Sequence, residues 1–163
     1  MIGRFQPLHL GHCHIINQII KTGHNPVIVI GSANKERDLA KNPYNYTTRK
    51  EMVNAIYPKI TQFIPMNDCN SMEKWYNSLI NKMKLMGLNK KNTVIHYSRK
   101  PIDCQDFIFE KIKYKDTHYC DVFEYQGWKT FQYDLLYDKN GRIISASNIR
   151  KNNMKKYSIL SEN

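Results

Sequence analysis

No apolar run in these 163 residues approaches the ~18 needed to cross a bilayer as a helix, and no charged-then-apolar leader with a small-residue cleavage site stands at the front. A soluble, cytoplasmic protein without membrane attachment is expected. Cysteine is sparse and scattered. Cys13, Cys69, Cys104 and Cys120 show neither a CxxC pair nor a Cys/His ligand spacing, which argues against a metal-ligating set and a disulfide framework and for reduced thiols. Acidic residues are also few, 14 Asp and Glu against 25 Lys and Arg, leaving a net charge of +11. Such an excess favours polyanions, nucleic acid among them. The lysines are dispersed over the whole chain, however, and no RNP, helix-turn-helix or zinc-finger pattern accompanies them, so nucleic acid is not the expected partner. The length suits a single domain over residues 1–163 and leaves no room for a fused second enzyme.

What the chain does have is concentrated at its two ends. Gly3-Arg4-Phe5-Gln6-Pro7-Leu8-His9-Leu10-Gly11-His12 leads into an apolar, helix-like run over residues 13–20, with His12 opening the helix. A helix start carries unpaired N–H groups and partial positive charge, so loop and helix together suit a phosphate. His9 and His12, three apart across the junction, can converge on one phosphate chain, while Gly11 lets a ligand approach the backbone and Pro7 stiffens the turn. Arg4 adds a permanent forked cation. Near the other end, Ile144-Ser145-Ala146-Ser147-Asn148-Ile149-Arg150 has the form of a second helix start, hydroxyl residues followed by an arginine. Either segment alone is compatible with an ordinary capped helix bearing solvated side chains. Two of them in one domain point to one bound nucleotide.

Between these ends, short β-branched runs at residues 2–5, 27–30, 62–64 and 93–96 alternate with helical patterns at 12–21, 47–57 and 72–86. Strand alternating with helix predicts an α/β fold built on a doubly wound parallel sheet. The first strand is expected to be short, with only Met1 and Ile2 ahead of Gly3. Residues 107–113 are expected as a further helix and 121–125 as a further strand. Turn signals at Gln126-Gly127 and Lys139-Asn140-Gly141 flank an alternating segment, 129–137, and predict a small β insertion near the C-terminus. Capping the site, contacting another subunit and extending the sheet are its open roles, and extension is preferred.

The ten residues from Gly3 resemble the HxGH signature of the nucleotidyltransferase superfamily. Their GRFQP lead-in resembles the nicotinamide mononucleotide adenylyltransferases of the archaeal type and of the bacterial adenylyltransferase–Nudix fusions. Residues 144–150 resemble the second signature of the superfamily, ISxxxxR. Ile30-Gly31-Ser32-Ala33 resembles the GSA step of the same enzymes, and the segment from Asn42-Pro43-Tyr44 to Arg49 resembles their NPF…ER stretch. Asp68 and Trp75 resemble an aspartate and a tryptophan that take the nicotinamide half of the substrate.

The resemblance implies a Rossmann-like fold and transfer of AMP from ATP to nicotinamide mononucleotide, with Mg²⁺ accompanying the ATP. It implies His12 as the main catalytic residue with His9 beside it, and phosphate clamps at Arg4, Arg49 and Arg150. Ser145 and Ser147 would hold the leaving pyrophosphate, and Gly3, Phe5, Gly11 and Ile149 would complete the ATP site. Ser32, Asp68, Asn70 and Trp75 would bind the mononucleotide, although Met72 occupies the place where a gap-free match puts the asparagine. For Trp75 a stacking platform and a plain core position are equally open. Tyr97, Ser98, Arg99 and Lys100, following a strand end, are placed at the nicotinamide pocket. Arg37 and Lys41 are read as a solvated basic face, and His14, His24, His96 and His118 as surface or satisfied interior positions. Relatives commonly self-assemble, which implies a homo-oligomer. Nicotinate mononucleotide, pantetheine phosphate and cytidylyl transfer remain alternatives within the superfamily, and a noncatalytic nucleotide- or RNA-binding module remains outside it.

Overall fold

The computed structural model describes residues 1–35, 40–151 and 155–159; Arg37 lies outside them. In chain order the elements are β1 (Ile2–Gly3), α1 (Leu10–Lys21), β2 (Val27–Ile30), α2 (Tyr46–Ile56), β3 (Gln62–Pro65), α3 (Met72–Leu85), β4 (Val94–Ser98), β5 (Cys104–Phe109), β6 (Ile112–His118), α4 (Asp121–Tyr125), β7 (Lys129–Tyr133) and α5 (Ala146–Lys151), with two short 3₁₀ turns. Strands β1, β2 and β3 pair in parallel in that order. On the far side of β1 lies β4, which pairs in parallel with β7. The short first strand has the predicted length, and its register is fixed by Val29 N–H donating to Met1 O and Gly31 N–H to Gly3 O, both at 2.9 Å.

Side-chain alternation along β2 explains the double winding. Ile28 and Ile30 face one core, where Ile15, Ile16 and Ile19 of α1 meet Met52 and Val53 of α2. Val29 faces the other, with Ile64, Tyr76 and Leu79 of α3, and Phe123 of α4. The helix starts are set by caps. Asn45 accepts from Thr48 N–H, and Ser71 accepts from Lys74 N–H, each contributing ~1 kcal/mol. Helix α1 begins at Leu10 rather than His12 because His9 is its cap, and α2 begins at Tyr46 with Asn45, not Thr47, as its cap.

Three expectations are corrected. Residues 107–113 are not a helix but the middle of the antiparallel hairpin β5–β6. Its two-residue turn, Glu110-Lys111, has φ of 48° and 64°, and Phe109 is driven into the core against Tyr76. Residues 121–125 form α4, not a strand, because this turn buries the adjacent Val122 and Phe123 together; Gly127 at φ 82° ends it. The segment after Tyr125 is no separate β unit. Strand β7 pairs in parallel with β4 in a two-stranded sheet, and Tyr137 and Ile143 bridge around the tight Asp138–Arg142 ion pair at 2.8 Å. The β insertion is therefore the hairpin at 104–118, before the expected place. No helix among the described residues is long and apolar enough to cross a membrane.

Candidate active site

A cleft of about 940 Å³ opens beyond the carboxyl ends of β1, β2, β3 and β4, where a parallel sheet of this kind places ligands. Both terminal motifs enter it. Gly3, Arg4, Phe5 and His12 line it, and so do Ser145, Ser147 and Arg150. The two ends are also bonded to each other: Arg150 Nη1 donates to Gln6 O at 2.5 Å, and its Nε donates to Ala40 O at 3.0 Å.

The histidines divide their work. His9 caps α1, its Nδ1 accepting from Gly11 N–H at 3.1 Å, and His12 reaches back so that its Nδ1 accepts from His9 N–H at 3.2 Å. This is a reciprocal capping box in which two imidazoles replace the usual hydroxyl and carboxylate. A ring nitrogen that accepts from a backbone N–H carries no proton, so both neutral rings hold theirs on Nε2. The rings stack with centroids 3.8 Å apart. Burial, then the nearby Lys100 ammonium, pulls the His9 pKa down to about 3. Burial, His9 and Lys100, in that order, hold His12 well below its ordinary value. Both are neutral donors near pH 7. Only His12 lines the cleft; the His9 Nε2 is buried and makes no hydrogen bond with the described residues. His9 thus stands behind His12 as the group that fixes its tautomer, and the two do not converge side by side on one opening.

Gly11 has a different reason from the expected one. A Cβ there would lie 3.0 Å from the His9 ring and 3.5 Å from Ile144 O, so the missing side chain makes room for the cap and the second motif rather than for a ligand. At Gly3 a Cβ would meet the Phe5 ring at 3.1 Å, with His12 Nε2 at 3.6 Å. Ile149 is buried and does not line the cleft, whereas Ser145 and Ser147 do; Ser145 Oγ also accepts from Asn148 N–H at 3.3 Å.

Arg49 is the largest departure. It is 0% exposed, lies behind the wall, and spends its fork on backbone: Nη1 donates to Arg4 O and Gly31 O at 2.7 Å each, Nη2 to Ser32 O, and Nε to Asn45 O. Because these carbonyls occupy its donors, it ties the first loop to the GSA turn and does not present itself to a phosphate. Its place among the cations is taken by Lys100, which sequence reasoning assigned to the nicotinamide pocket. Burial lowers the Lys100 pKa, Asp103 raises it, and the Arg4 and Arg150 charges lower it again; all three cations line the cleft. Their mutual repulsion is what a bound polyphosphate would relieve. The available signal was position: Lys100 follows the carboxyl end of β4 directly. Arg99 turns away to Asp121 at 3.4 Å.

Next to the Arg4 loop, beyond β2 and β3, Ser32 Oγ donates to Asp68 Oδ1 at 2.9 Å, and Lys35 Nζ lies 3.7 Å from Asp68 Oδ2. Asn70 and Met72 also line the cleft. Trp75 does so as well while packing edge-on against Tyr119 and Phe123, at 5.4 and 6.3 Å, so it joins core and cleft wall in one residue. Among the described residues no group of three His, Cys, Asp or Glu side chains converges as a metal cage.

The family model described as Cytidylyltransferase-like matches residues 1–152. The nicotinamide-nucleotide adenylyltransferase of Methanolobus tindarius is 37% identical over 82 residues, covering 48% of this chain and 47% of its own length. The nicotinamide/nicotinic acid mononucleotide adenylyltransferase of Acinetobacter baylyi is 33% identical over 78 residues, 45% of this chain and 41% of its own. The chain therefore spans about half the length of the curated relatives it matches. A bifunctional NMN adenylyltransferase/ADP ribose pyrophosphatase from Francisella tularensis, also solved as a complex with AMP and Mn ion, superposes on 97% of this chain and 43% of its own with a TM-score of 0.69 and 23% identity, so the fold is shared. Since the family match runs through the histidine cap, the sheet and the serine–arginine turn that meet in the cleft, the chain belongs to the cytidylyltransferase-like family.

Proposed function

We propose that this chain transfers the adenylyl group of ATP to nicotinamide mononucleotide. A phosphate oxygen of the mononucleotide attacks the α-phosphorus, the bond from that phosphorus to the pyrophosphate oxygen breaks, and NAD and pyrophosphate leave. The observation that carries this reading is the meeting of His12 with Arg4, Lys100, Arg150 and the two serines in one cleft. A neutral Nε2–H on His12 supplies a fixed donor to the oxygen on which charge builds, and the three cations neutralise the phosphates without any protonation step. Ser145 and Ser147, which line the same cleft, would take the leaving end. The attacking phosphate is already ionised, so no general base is needed. The chain's donor set suits a Mg²⁺ carried in on the nucleotide, which would share the leaving group's charge, rather than one held by a protein cage. The named relatives support the same substrates. The four free cysteines, one of them exposed, fit a reducing cytoplasm.

Incubating the chain with ATP, Mg²⁺ and nicotinamide mononucleotide, and reading NAD with alcohol dehydrogenase, tests the proposal. NAD accumulates with wild type, and His12→Ala lowers kcat by roughly 10²–10³-fold with a smaller change in KM. No NAD from the wild type rejects it.

A further inference from the structure

Outside the cation cluster, the cleft wall contains a second built feature that the reaction as derived above does not use. His118, at the end of β6, is 1% exposed. Its Nδ1 accepts from Cys120 N–H at 3.1 Å, which leaves the proton on Nε2. That Nε2–H is buried, makes no hydrogen bond among the described residues, and lies 3.9 Å from Oδ2 of Asp103, a carboxylate on the cleft wall. The His118 ring stacks on Tyr119 at 4.5 Å, and Tyr119 in turn meets Trp75 edge-on at 5.4 Å. A continuous train thus runs from the Trp75 face to the Asp103 carboxylate. Among the described residues no lysine or arginine forms an ion pair with Asp103, whereas Asp68 is already shared between Ser32 and Lys35. Lys100 stands beside it, its O accepting from Asp103 N–H at 3.0 Å.

Where this aromatic train ends, the cleft wall carries the carboxylates of Asp103 and Asp106, with Lys100 next to Asp103. A nicotinamide mononucleotide has an anionic phosphate and a cationic ring with an uncharged carboxamide. Nicotinate mononucleotide brings a further carboxylate. We propose that Asp103, positioned by His118, selects the amide mononucleotide over the acid. Asp103 acts directly on the substrate's pyridine half, and His118 is a positioning residue that acts through it. The inference rests on the adenylyltransferase reading and adds its substrate preference.

The test is kcat/KM for both mononucleotides with saturating ATP and Mg²⁺. Wild type favours the amide, and Asp103→Asn, which keeps shape but not charge, raises the acid-to-amide ratio about tenfold, through KM rather than kcat. His118→Phe, which keeps the stacking but not the donor, moves the ratio the same way by a smaller factor. His118→Gln, whose amide nitrogen stands near the place of Nε2, restores it. Glu51→Gln is the control, since Glu51 is an exposed carboxylate on α2 that does not line the cleft, and it leaves the ratio unchanged. An unchanged ratio in Asp103→Asn, or an equal shift in Glu51→Gln, overturns the inference while NAD synthesis stands. Product from neither mononucleotide with wild type overturns both.

Discussion

A histidine that caps a helix cannot choose its tautomer, and His9 and His12 each lose that choice to the other's neighbourhood. The benefit for His12 is a donor fixed in place before any ligand arrives; the consequence is a pair of buried imidazoles that resist protonation. Because the folded pKa of His9 is near 3 and that of an exposed histidine is 6.5, the unfolded chain binds more protons between those values, so stability rises with pH. The contribution is complete above pH ~6.5 and is lost as pH falls from there towards 3, and His12 acts in the same direction. Melting temperatures measured between pH 8 and pH 4 fall on the acid side, and His9→Asn, which keeps a good cap without a titrating ring, shows a shallower fall. Arg49 is the second residue whose role is structural. Arg49→Met strands the carbonyls of Arg4, Gly31 and Ser32 and is expected to cost ~3 kcal/mol or more in urea unfolding. An unaltered urea midpoint contradicts that role.

Among the elements, α1 shows how a helix start and a site can be one object. At Gly11 the alanine side chain would favour the helix by up to ~1 kcal/mol, yet it would push the His9 ring and through it His12. On the proposed function, Gly11→Ala is expected to keep helix content by circular dichroism and lose roughly tenfold or more in turnover, because the His12 donor is displaced. Loss of both together makes Gly11 a folding position only. The β5–β6 hairpin was misread for a definite reason. Its turn is Glu110-Lys111, both with positive φ, where a hairpin of two residues normally announces itself by asparagine and glycine. Without that signal a short apolar run cannot be told from a helix by spacing. The reverse error at Asp121–Tyr125 arose because valine, phenylalanine and tyrosine favour strands, while burial against Tyr76 and Trp128 decided the conformation.

Over the whole molecule, the parallel sheet brings together segments more than 130 residues apart. Arg150 serves two purposes there, as a cation on the cleft and as the donor to Gln6 O. Arg150→Ala is therefore expected to raise the KM for ATP by about ten- to a hundredfold, the loss of one charge-assisted contact. It is also expected to lower the melting temperature by several degrees, since the closure of the two ends loses a bond. A change in KM without a change in melting temperature removes the structural half of that assignment.

The α/β alternation, the short first strand, the three long helices and the two helix starts at the ends of the chain were all legible in the sequence, because each rests on periodicity or on residue types a few positions apart. The tertiary structure alone decided that His12 faces the cleft while His9 stands behind it, that Arg49 is consumed by backbone carbonyls, that Lys100 joins the cations, and that His118 aims at Asp103. Each of these depends on which groups the folded chain buries and which it leaves without a partner, and burial is set by contacts among residues far apart in sequence, where local spacing carries no information.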